Sequence, residues 1–492
     1  MLKQLKEFVD DIENSEIRDV RSLLFELEKV FKFFIGKGLH KVRKNHTEQE
    51  QTVRRWINGK YEEFYSIVFQ IWNKEDKDDK IVTLKLDTLD YVFNFLCEEA
   101  KNMTESYFPS GRFRIILNQL LHVGNDKDIE EDGTISEPLL NEFKEKYLNE
   151  YWDLKFYFYQ EFINVTELNS VVFAKFLTIT KECELYDLQN RDSITEQPIL
   201  IKNAPTNTIY NFSSFRINFE KSWIYALNKE NNLNKIELLA TLTILHKRII
   251  PYFSNAQKLM DFLTASYTLG LQRKEILISI LSLNGLWELM KTFNLDYPDF
   301  YKNLYKILTP DLLHLKEKSR FFRLLELFMS STHLSSSIVA SFIKRLSRLS
   351  LTAPPSGIII IIPFIYNLIK KYGHSTCILL LHSTTSKEED ENYIDPYDPL
   401  EEDPALSGAI ESSIWELETM INHYHPNVSS LIKILHQKFT KFGYNTEDFL
   451  DWSYEKLLDS EMNKSLRGEI GLEFEKWDKL FDNEGYLIEY TY

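Results

Sequence analysis

The chain has 492 residues, 43% hydrophobic and 27% charged, and this balance excludes wholesale disorder because 34 Phe, 26 Tyr and 8 Trp can bury a large core. Glycine (15) and proline (14) are scarce, which argues against a β-sandwich or a doubly wound enzyme, since both need many turn glycines. The net charge of −16 argues against a protein whose whole surface coats nucleic acid.

Apolar residues recur at helical spacing along the first half of the chain. One stripe covers residues 23–34, a second covers Asp87–Met103, and Leu139–Ile163 is rich in aromatic residues. Residues 188–214 contain two prolines and show no clear period. We therefore predict an N-terminal helical region over residues 1–187, followed by an irregular connection at 188–214 that is the best candidate for a domain boundary.

From Leu233 onward the helical pattern becomes more regular. The predicted helices are Ile236–Ile250, Lys274–Phe293, Ser319–Ser330, Ser337–Leu351, Ala409–Tyr424 and Val428–Phe442. Paired antiparallel helices with a period of about 40 residues are typical of HEAT-like repeats. We therefore predict an all-α, HEAT-like helical-repeat solenoid with one long acidic loop in its C-terminal half.

Charge divides the C-terminal half in an unusual way. Leu327–Ser386 contains no Asp or Glu and carries five cations, whereas Glu388–Pro404 carries nine acids and no base. Each Asp-Pro pair in the acidic stretch disfavours helix, so we predict a loop at 384–404. The predicted divisions are a helical-repeat segment at 215–307, a helical domain at 308–460 that contains this loop, and a tail segment at 461–492.

The two charged segments are candidate binding residues. The cations would hold RNA phosphates or an acidic partner segment, and the loop would meet a basic partner segment. The alternative is a solvated helix face, or one that the acidic loop neutralises. We favour partner contacts, because Asp-Pro repeats would keep the loop extended and an exposed ion pair contributes only about 0–1 kcal/mol. The residues are Lys344, Arg345, Arg348, Lys370 and Lys371 on the basic face, and Glu388, Glu389, Asp390, Glu401, Glu402 and Asp403 in the loop.

Motifs of enzymes, metal sites and membrane spans are missing from the sequence. There is no phosphate-binding loop, dinucleotide-binding glycine motif, HExxH, GxSxG or EF-hand loop. The three cysteines lie far apart, which fits a reducing compartment. The longest apolar run, Ile358–Ile365, is far shorter than the roughly 20 residues of a membrane span, so we expect a buried core segment there. We predict no enzymatic activity, no cofactor, no metal and no membrane contact.

Aromatic motifs near the C-terminus predict structural positions. Trp415 and Trp452 are expected to be core anchors, as most helical tryptophans are. Tyr424, His425 and Pro426 are expected to end one helix and open the next. On this interpretation these residues and a buried Trp415 build the joint between two helices.

Four motifs in a fixed order make residues Leu308–Leu458 resemble a known family. They are FIKRLSRLSL, DPYDP, AIESSIWELE and HYHP. Together they resemble the CCAAT-binding-factor domain family of nucleolar complex proteins, and within it the small-subunit member. The resemblance implies a non-enzymatic nucleolar scaffold that binds nucleolar protein 14 and supports assembly, pre-rRNA processing and export of the small (40S) ribosomal subunit precursor, with a contact to pre-rRNA as a further expectation.

Two other function classes stay open at this point. A nuclear transport adaptor would also be an acidic helical solenoid, but it would bind a cargo or a GTPase. A transcription or chromatin factor, which the name of the resembling family suggests, would need a basic recognition helix with base-reading Arg and Asn. The net charge of −16 and the lack of such a helix count against this second class.

Overall fold

The secondary structure of the chain is helical. The computed structural model describes residues 1–10, 17–39, 47–74, 79–101, 106–186, 193–228, 233–293, 299–331, 334–373 and 394–465. In these residues the one β-contact is an isolated bridge between Ile129 and Ile135, so the prediction of an all-α fold is confirmed. Contacts divide the chain into two compact units, Met1–Asp299 and Phe300–Tyr492.

The described part of the first unit contains fourteen α-helices around one aromatic-rich core. They are α1 (Leu2–Asp10), α2 (Ile17–Gly36), α3 (Glu48–Trp72), α4 (Asp79–Lys101), α5 (Ser110–His122), α6 (Pro138–Glu142), α7 (Trp152–Phe162), α8 (Ser170–Glu182), α9 (Ser193–Glu196), α10 (Thr206–Ile209), α11 (Phe212–Leu227), α12 (Lys235–Ile244), α13 (Met260–Gln272) and α14 (Ile276–Phe293).

Residues 193–214 lie inside the first unit rather than at its edge. The buried carboxylate of Asp153 on α7 accepts hydrogen bonds from the backbone N–H groups of Leu200 (3.1 Å) and Ile201 (2.9 Å). Ile201 belongs to the same core as the surrounding helices. The boundary predicted at 188–214, whose first residues lie outside the described part of the chain, is therefore corrected. Its irregular sequence reflects a segment that a buried carboxylate holds in place.

Helix α14 is long and apolar enough to cross a membrane by length and composition. Half of its residues are buried, however, and it packs against α12 and α13. At Gly285 the backbone comes so close to Leu263 that an added Cβ would lie 2.8 Å from that side chain. A helix that is apolar on most sides is typical of a core position, and α14 occupies one.

The described part of the second unit contains eight α-helices, with α17 packed on α18 and α18 on α20. Ile358–Ile365 is buried within α18, which confirms the predicted core segment even though Pro363 lies inside the helix. The helices are α15 (Phe300–Ile307), α16 (Lys318–Phe328), α17 (Ser336–Ser350), α18 (Pro355–Lys371), α19 (Trp415–Thr419), α20 (Pro426–His436), α21 (Glu447–Leu450) and α22 (Tyr454–Met462).

The continuous helix predicted over Ala409–Tyr424 is wrong. The structure has the short helix α19 there, flanked by the 3₁₀ turns Ala409–Glu411 and Met420–Asn422. Ser412 is extended, and its hydroxyl donates to the carboxylate of Asp395 instead of facing along a helix. The next helix does start as predicted, because Pro426 occupies its first turn after the cap residue His425.

Candidate functional site

Helix α17 carries Lys344, Arg345 and Arg348 of the predicted basic face, and other parts of the second unit cover the first two of them. The helix begins where the Ser335 hydroxyl accepts a hydrogen bond from the backbone N–H of Ile338. Two turns further on, the side chain of Lys344 is 0% exposed. It lies between Asp395, in the loop of Asp-Pro pairs, and Glu416 on α19.

The Lys344 ammonium has an acceptor for each of its three N–H donors. Its Nζ lies 3.0 Å from Asp395 Oδ2 and 2.8 Å from Glu416 Oε1, and it donates to the carbonyl of Ser413 at 2.7 Å. Glu416 is also fully buried and accepts a hydrogen bond from Ser347 Oγ at 3.2 Å. A buried charge costs several kcal/mol unless it is paired and hydrogen-bonded, as it is here. We call Lys344, Asp395 and Glu416 the lysine cluster.

Each of the three Asp-Pro pairs folds into the same turn, in which the Asp side chain accepts the backbone N–H two residues further on. The bonded pairs are Asp395 with Tyr397 (3.1 Å), Asp398 with Leu400 (2.9 Å) and Asp403 with Ala405 (3.0 Å). The loop is fastened to α17 where Arg345 donates to the Pro399 carbonyl (2.6 Å) and the hydroxyls of Ser341 and Ser407 share a hydrogen bond (2.7 Å). For residues 394–408 the prediction that Asp-Pro repeats keep the loop extended is therefore wrong, although most of these residues are exposed to solvent or half-buried.

The lysine cluster should make the second unit sensitive to acid. Burial by itself raises the pKa of Asp395, but hydrogen bonds from Ser412 and Lys344 outweigh it and hold that pKa below its ordinary value. The stabilisation is thus fully present above the unfolded pKa of about 3.9 and is lost as the pH falls through the lower, folded pKa. We expect Asp395→Asn, which keeps the turn but removes the charge, to flatten the fall in melting temperature below about pH 4. The matched control is Asp398→Asn, the same change in an Asp-Pro turn outside the cluster. In this variant the melting temperature should fall at low pH as it does in the unchanged chain.

Comparison with known proteins identifies the family. A model of the CBF/Mak21 family matches residues 279–432, which include the whole lysine cluster, and a model described as "Nucleolar complex protein 4-like, TPR repeats" matches residues 2–170. Nucleolar complex protein 4 of Saccharomyces cerevisiae is 39% identical over 98% of this chain and 90% of its own length. The homologues of Gallus gallus and Homo sapiens are each 32% identical, over 91% and 79% of this chain and 85% and 72% of their own lengths. The chain belongs to the nucleolar complex protein 4 family.

Membership in the nucleolar complex protein 4 family makes this chain a nucleolar protein of ribosome biogenesis. The resemblance to nucleolar complex proteins and the helical-repeat fold are confirmed, with TPR as the repeat type that the matching model names. Because the chain belongs to this family, the two alternatives of a nuclear transport adaptor and a transcription factor are set aside. The division into segments 215–307, 308–460 and 461–492 stays a prediction.

The basic face that was predicted to bind partners is partly used inside the fold. Lys344 is enclosed in the lysine cluster and cannot reach RNA or a partner protein, so the prediction is corrected at this residue. Arg345 is half-buried and bound to the Asp-Pro loop. The neutralisation by the acidic loop, which was the less favoured alternative, therefore describes Lys344 correctly, whereas Arg345 is held by a backbone carbonyl of the same loop. The remaining cations, Arg348, Lys370 and Lys371, are exposed.

The acidic residues predicted to bind a partner fall into two groups. Glu388, Glu389 and Asp390 lie outside the described residues. In the second group, Glu402 pairs with Lys306 at 2.6 Å, Asp403 lies 3.9 Å from Lys302, and Glu401 accepts the backbone N–H of Asp403 at 3.0 Å. The charge of this second group is thus partly neutralised by α15.

The prediction that Trp415 is a buried anchor is wrong, because 41% of this residue is exposed. The break at Ser412 turns it out of the apolar stripe, while Leu417 of the same short helix is buried. The Trp415 indole donates to Asp395 Oδ2 at 3.3 Å, and its ring lies over Lys344 and Arg348. Trp452, the other predicted anchor, is half-buried. Of the residues predicted to build the joint between two helices, Tyr424 is exposed and His425 is half-buried.

Sequence reasoning did not find the small polar residues that complete the site. Ser347 and Ser412 donate to the carboxylates of the lysine cluster, and Gly408 allows the chain to pass close to Pro396. Ser341 and Ser347 lie on the buried face of α17, where each hydroxyl group needs a hydrogen-bond partner. Serines on the apolar face of a helix were therefore the sequence feature that could have indicated the site. Among the described residues, no group of three His, Cys, Asp or Glu side chains is placed to hold a metal ion.

Proposed function

We propose that this chain is a non-enzymatic scaffold that binds nucleolar protein 14 and supports assembly, pre-rRNA processing and export of the small ribosomal subunit precursor. The observation that carries the proposal is a set of exposed apolar residues around the lysine cluster. Ile394 is 86% exposed, Leu400 88% and Leu406 73%, although all three belong to a loop that is otherwise fastened to α17. With Trp415 and Arg348 they form what we call the Asp-Pro surface.

The composition of the Asp-Pro surface is that of a protein interface. Energetically dominant interface positions are enriched in Trp and Arg, and here Arg348 is stacked over Trp415, 5.4 Å from its ring centre. The three Asp-Pro turns hold the backbone that carries the aliphatic side chains, so little backbone entropy would be lost on binding. The lysine cluster supports this surface from below, since Asp395 follows Ile394 and accepts from the Trp415 indole.

The contact with pre-rRNA is assigned in this proposal to the exposed cations. Lys370 and Lys371 at the end of α18 each donate one hydrogen bond to a backbone carbonyl, of Phe439 and Ser330 respectively. An ammonium has three N–H donors, so each keeps capacity for a phosphate. The acidic group of Glu401, Glu402 and Asp403 is assigned to a basic partner segment, because its ion pairs lie at the surface and are weak enough to be exchanged.

Trp415→Ala is expected to weaken binding of the full chain to purified nucleolar protein 14 by about tenfold or more, the effect of losing a central interface tryptophan. Isothermal titration calorimetry measures the Kd. Because Trp415 also contacts Asp395, a second variant, Leu400→Ala, tests the surface at a side chain that is almost wholly exposed. Leu400→Ala should weaken binding while leaving the melting temperature unchanged.

The matched control is Leu458→Ala on α22, an exposed leucine of the same unit outside the Asp-Pro surface. It should bind as tightly as the unchanged chain. Wild-type affinity in both Trp415→Ala and Leu400→Ala would show that nucleolar protein 14 does not bind at this surface. If the unchanged chain does not bind nucleolar protein 14, the proposal of this partner is wrong.

A further inference from the structure

A second apolar surface lies in the first unit, between α1, α2 and α3. A groove of about 340 Å³ opens there, with Val30 and Phe34 of α2 on one wall and Trp56 of α3 on the other. Trp56 is 62% exposed and Val30 is also exposed, and two further exposed apolar residues, Phe33 and Val53, lie one turn away on the same helices. We call this site the α2–α3 groove.

The exposed apolar residues of the groove are not needed for folding. Helix α2 already buries Leu24 and Phe31 in the core, and α3 already buries Phe64 and Val68. A surface helix needs one apolar face, yet each of these helices carries a second one. Val30 and Phe33 lie one turn apart on α2, as Val53 and Trp56 do on α3, so each second face is continuous along its helix. Contiguous apolar surface of this kind marks an interaction site.

The charges around the groove indicate what binds there. The charged side chains that line it are Lys3 and Lys60, and among the described residues no carboxylate lines it. A further lysine, Lys37, lies over the ring of Phe33 at 4.1 Å. Lys60 also pairs with Glu63 of the same helix at 2.5 Å, but a surface ion pair of this kind is weak and can be exchanged. In a chain with 74 acids and 58 bases, an apolar groove whose lining cations are lysines is complementary to an acidic ligand.

We propose that the α2–α3 groove binds an amphipathic helical segment of a partner protein, whose apolar stripe is flanked by Asp and Glu. Helices dock in grooves through apolar anchors at positions i, i+3 or i+4, and i+7, which here would contact Val30, Phe34 and Trp56. Acidic residues beside the stripe would pair with Lys3 and Lys60. This site is independent of the Asp-Pro surface, because the two lie in different units.

Two fluorescent peptides test the proposal with the full chain. Both are helical and carry leucine at the anchor spacing, one with Glu on the flanks and the other with Lys at the same positions. In fluorescence anisotropy the Glu peptide should bind and the Lys peptide should bind at least about tenfold more weakly. Trp56→Ala should weaken binding of the Glu peptide by about tenfold. Ile115→Ala, an exposed apolar residue on α5 outside the groove, is the matched control and should bind normally.

Equal binding of the two peptides, or wild-type binding by Trp56→Ala, would overturn the proposal. A photo-cross-linking residue in place of Trp56 then tests the natural occupant in purified ribosome precursors. A cross-link to an acidic helical segment of another protein supports the proposal, whereas one to RNA or to a second copy of this chain refutes it. Binding of nucleolar protein 14 through Trp415 and Leu400 should be unaffected by Trp56→Ala, so the two proposals fail separately.

Discussion

Lys344→Ala is expected to lower the free energy of unfolding of the second unit by about 3–5 kcal/mol, the usual cost of removing one partner from a buried ion pair. After this change the fully buried carboxylate of Glu416 keeps only its hydrogen bonds from Ser347 and from Arg348, the latter at 3.4 Å. Asp395 loses the cation that it pairs with. Because the chain has two units, one overall unfolding energy is not well defined. Hydrogen exchange of peptides from α17, followed along a urea titration, measures the free energy of unfolding of the second unit by itself.

Two variants separate the buried charge from the surface charge. Arg348→Ala removes an exposed cation of the same helix and should cost only about 0–1 kcal/mol. The triple change Lys344→Met, Glu416→Leu and Asp395→Asn removes all three charges together, and should cost much less than Lys344→Ala because no unpaired buried charge remains. If Lys344→Ala and Arg348→Ala have equal small effects, the cluster does not stabilise the second unit.

Gly408→Ala is expected to destabilise the second unit for two separate reasons. The backbone of Gly408 has φ +68°, a left-handed conformation that costs other residues about 1–2 kcal/mol. An added Cβ would also lie 2.5 Å from the carbonyl oxygen of Pro396, and relieving such overpacking costs about 1–3 kcal/mol more. Because backbone atoms are involved, the loop must move, and with it Asp395. The same hydrogen-exchange titration measures the loss.

Gly357→Ala is the matched control for Gly408→Ala. Gly357 lies in the first turns of α18, its φ is not left-handed, and an added Cβ would make ordinary contact with Leu313 at 3.4 Å. Alanine there should be neutral, or stabilising by up to about 1 kcal/mol through helix propensity. Gly408→Ala should also weaken binding of nucleolar protein 14, because it displaces the loop that carries Leu400. Unchanged stability in Gly408→Ala would contradict the close passage of the two chain segments.

Three of the four family motifs of the C-terminal half meet in one place. The motif FIKRLSRLSL supplies Lys344, DPYDP supplies Asp395 and AIESSIWELE supplies Glu416. Residues that looked like separate charged segments in the sequence are thus parts of one neutralised cluster. The surface that we propose for a partner combines Trp415 of the third motif with three exposed loop residues that lie beside the motifs, Ile394, Leu400 and Leu406.

The sequence by itself determined the helical class, most helix positions in the second half and the family. Ser337–Leu351 was predicted and Ser336–Ser350 is observed, because amphipathic periodicity and a serine cap are local signals that need no knowledge of distant residues. The four ordered motifs likewise lie in the sequence itself. The break of the predicted helix Ala409–Tyr424 was missed because its cause is the distant carboxylate of Asp395, to which Ser412 turns.

The tertiary structure decided which charges are buried and which are exposed. Lys344 and Arg348 lie one turn apart on α17 and cannot be told apart by periodicity, yet one is fully buried and the other exposed. What separates them is the position of Asp395 and Glu416, which come from distant parts of the chain. A net charge or a run of like charges carries no information about such pairings. The burial of a charge depends on the acceptors that the folded chain brings to it, and these are fixed only when the long-range contacts have formed.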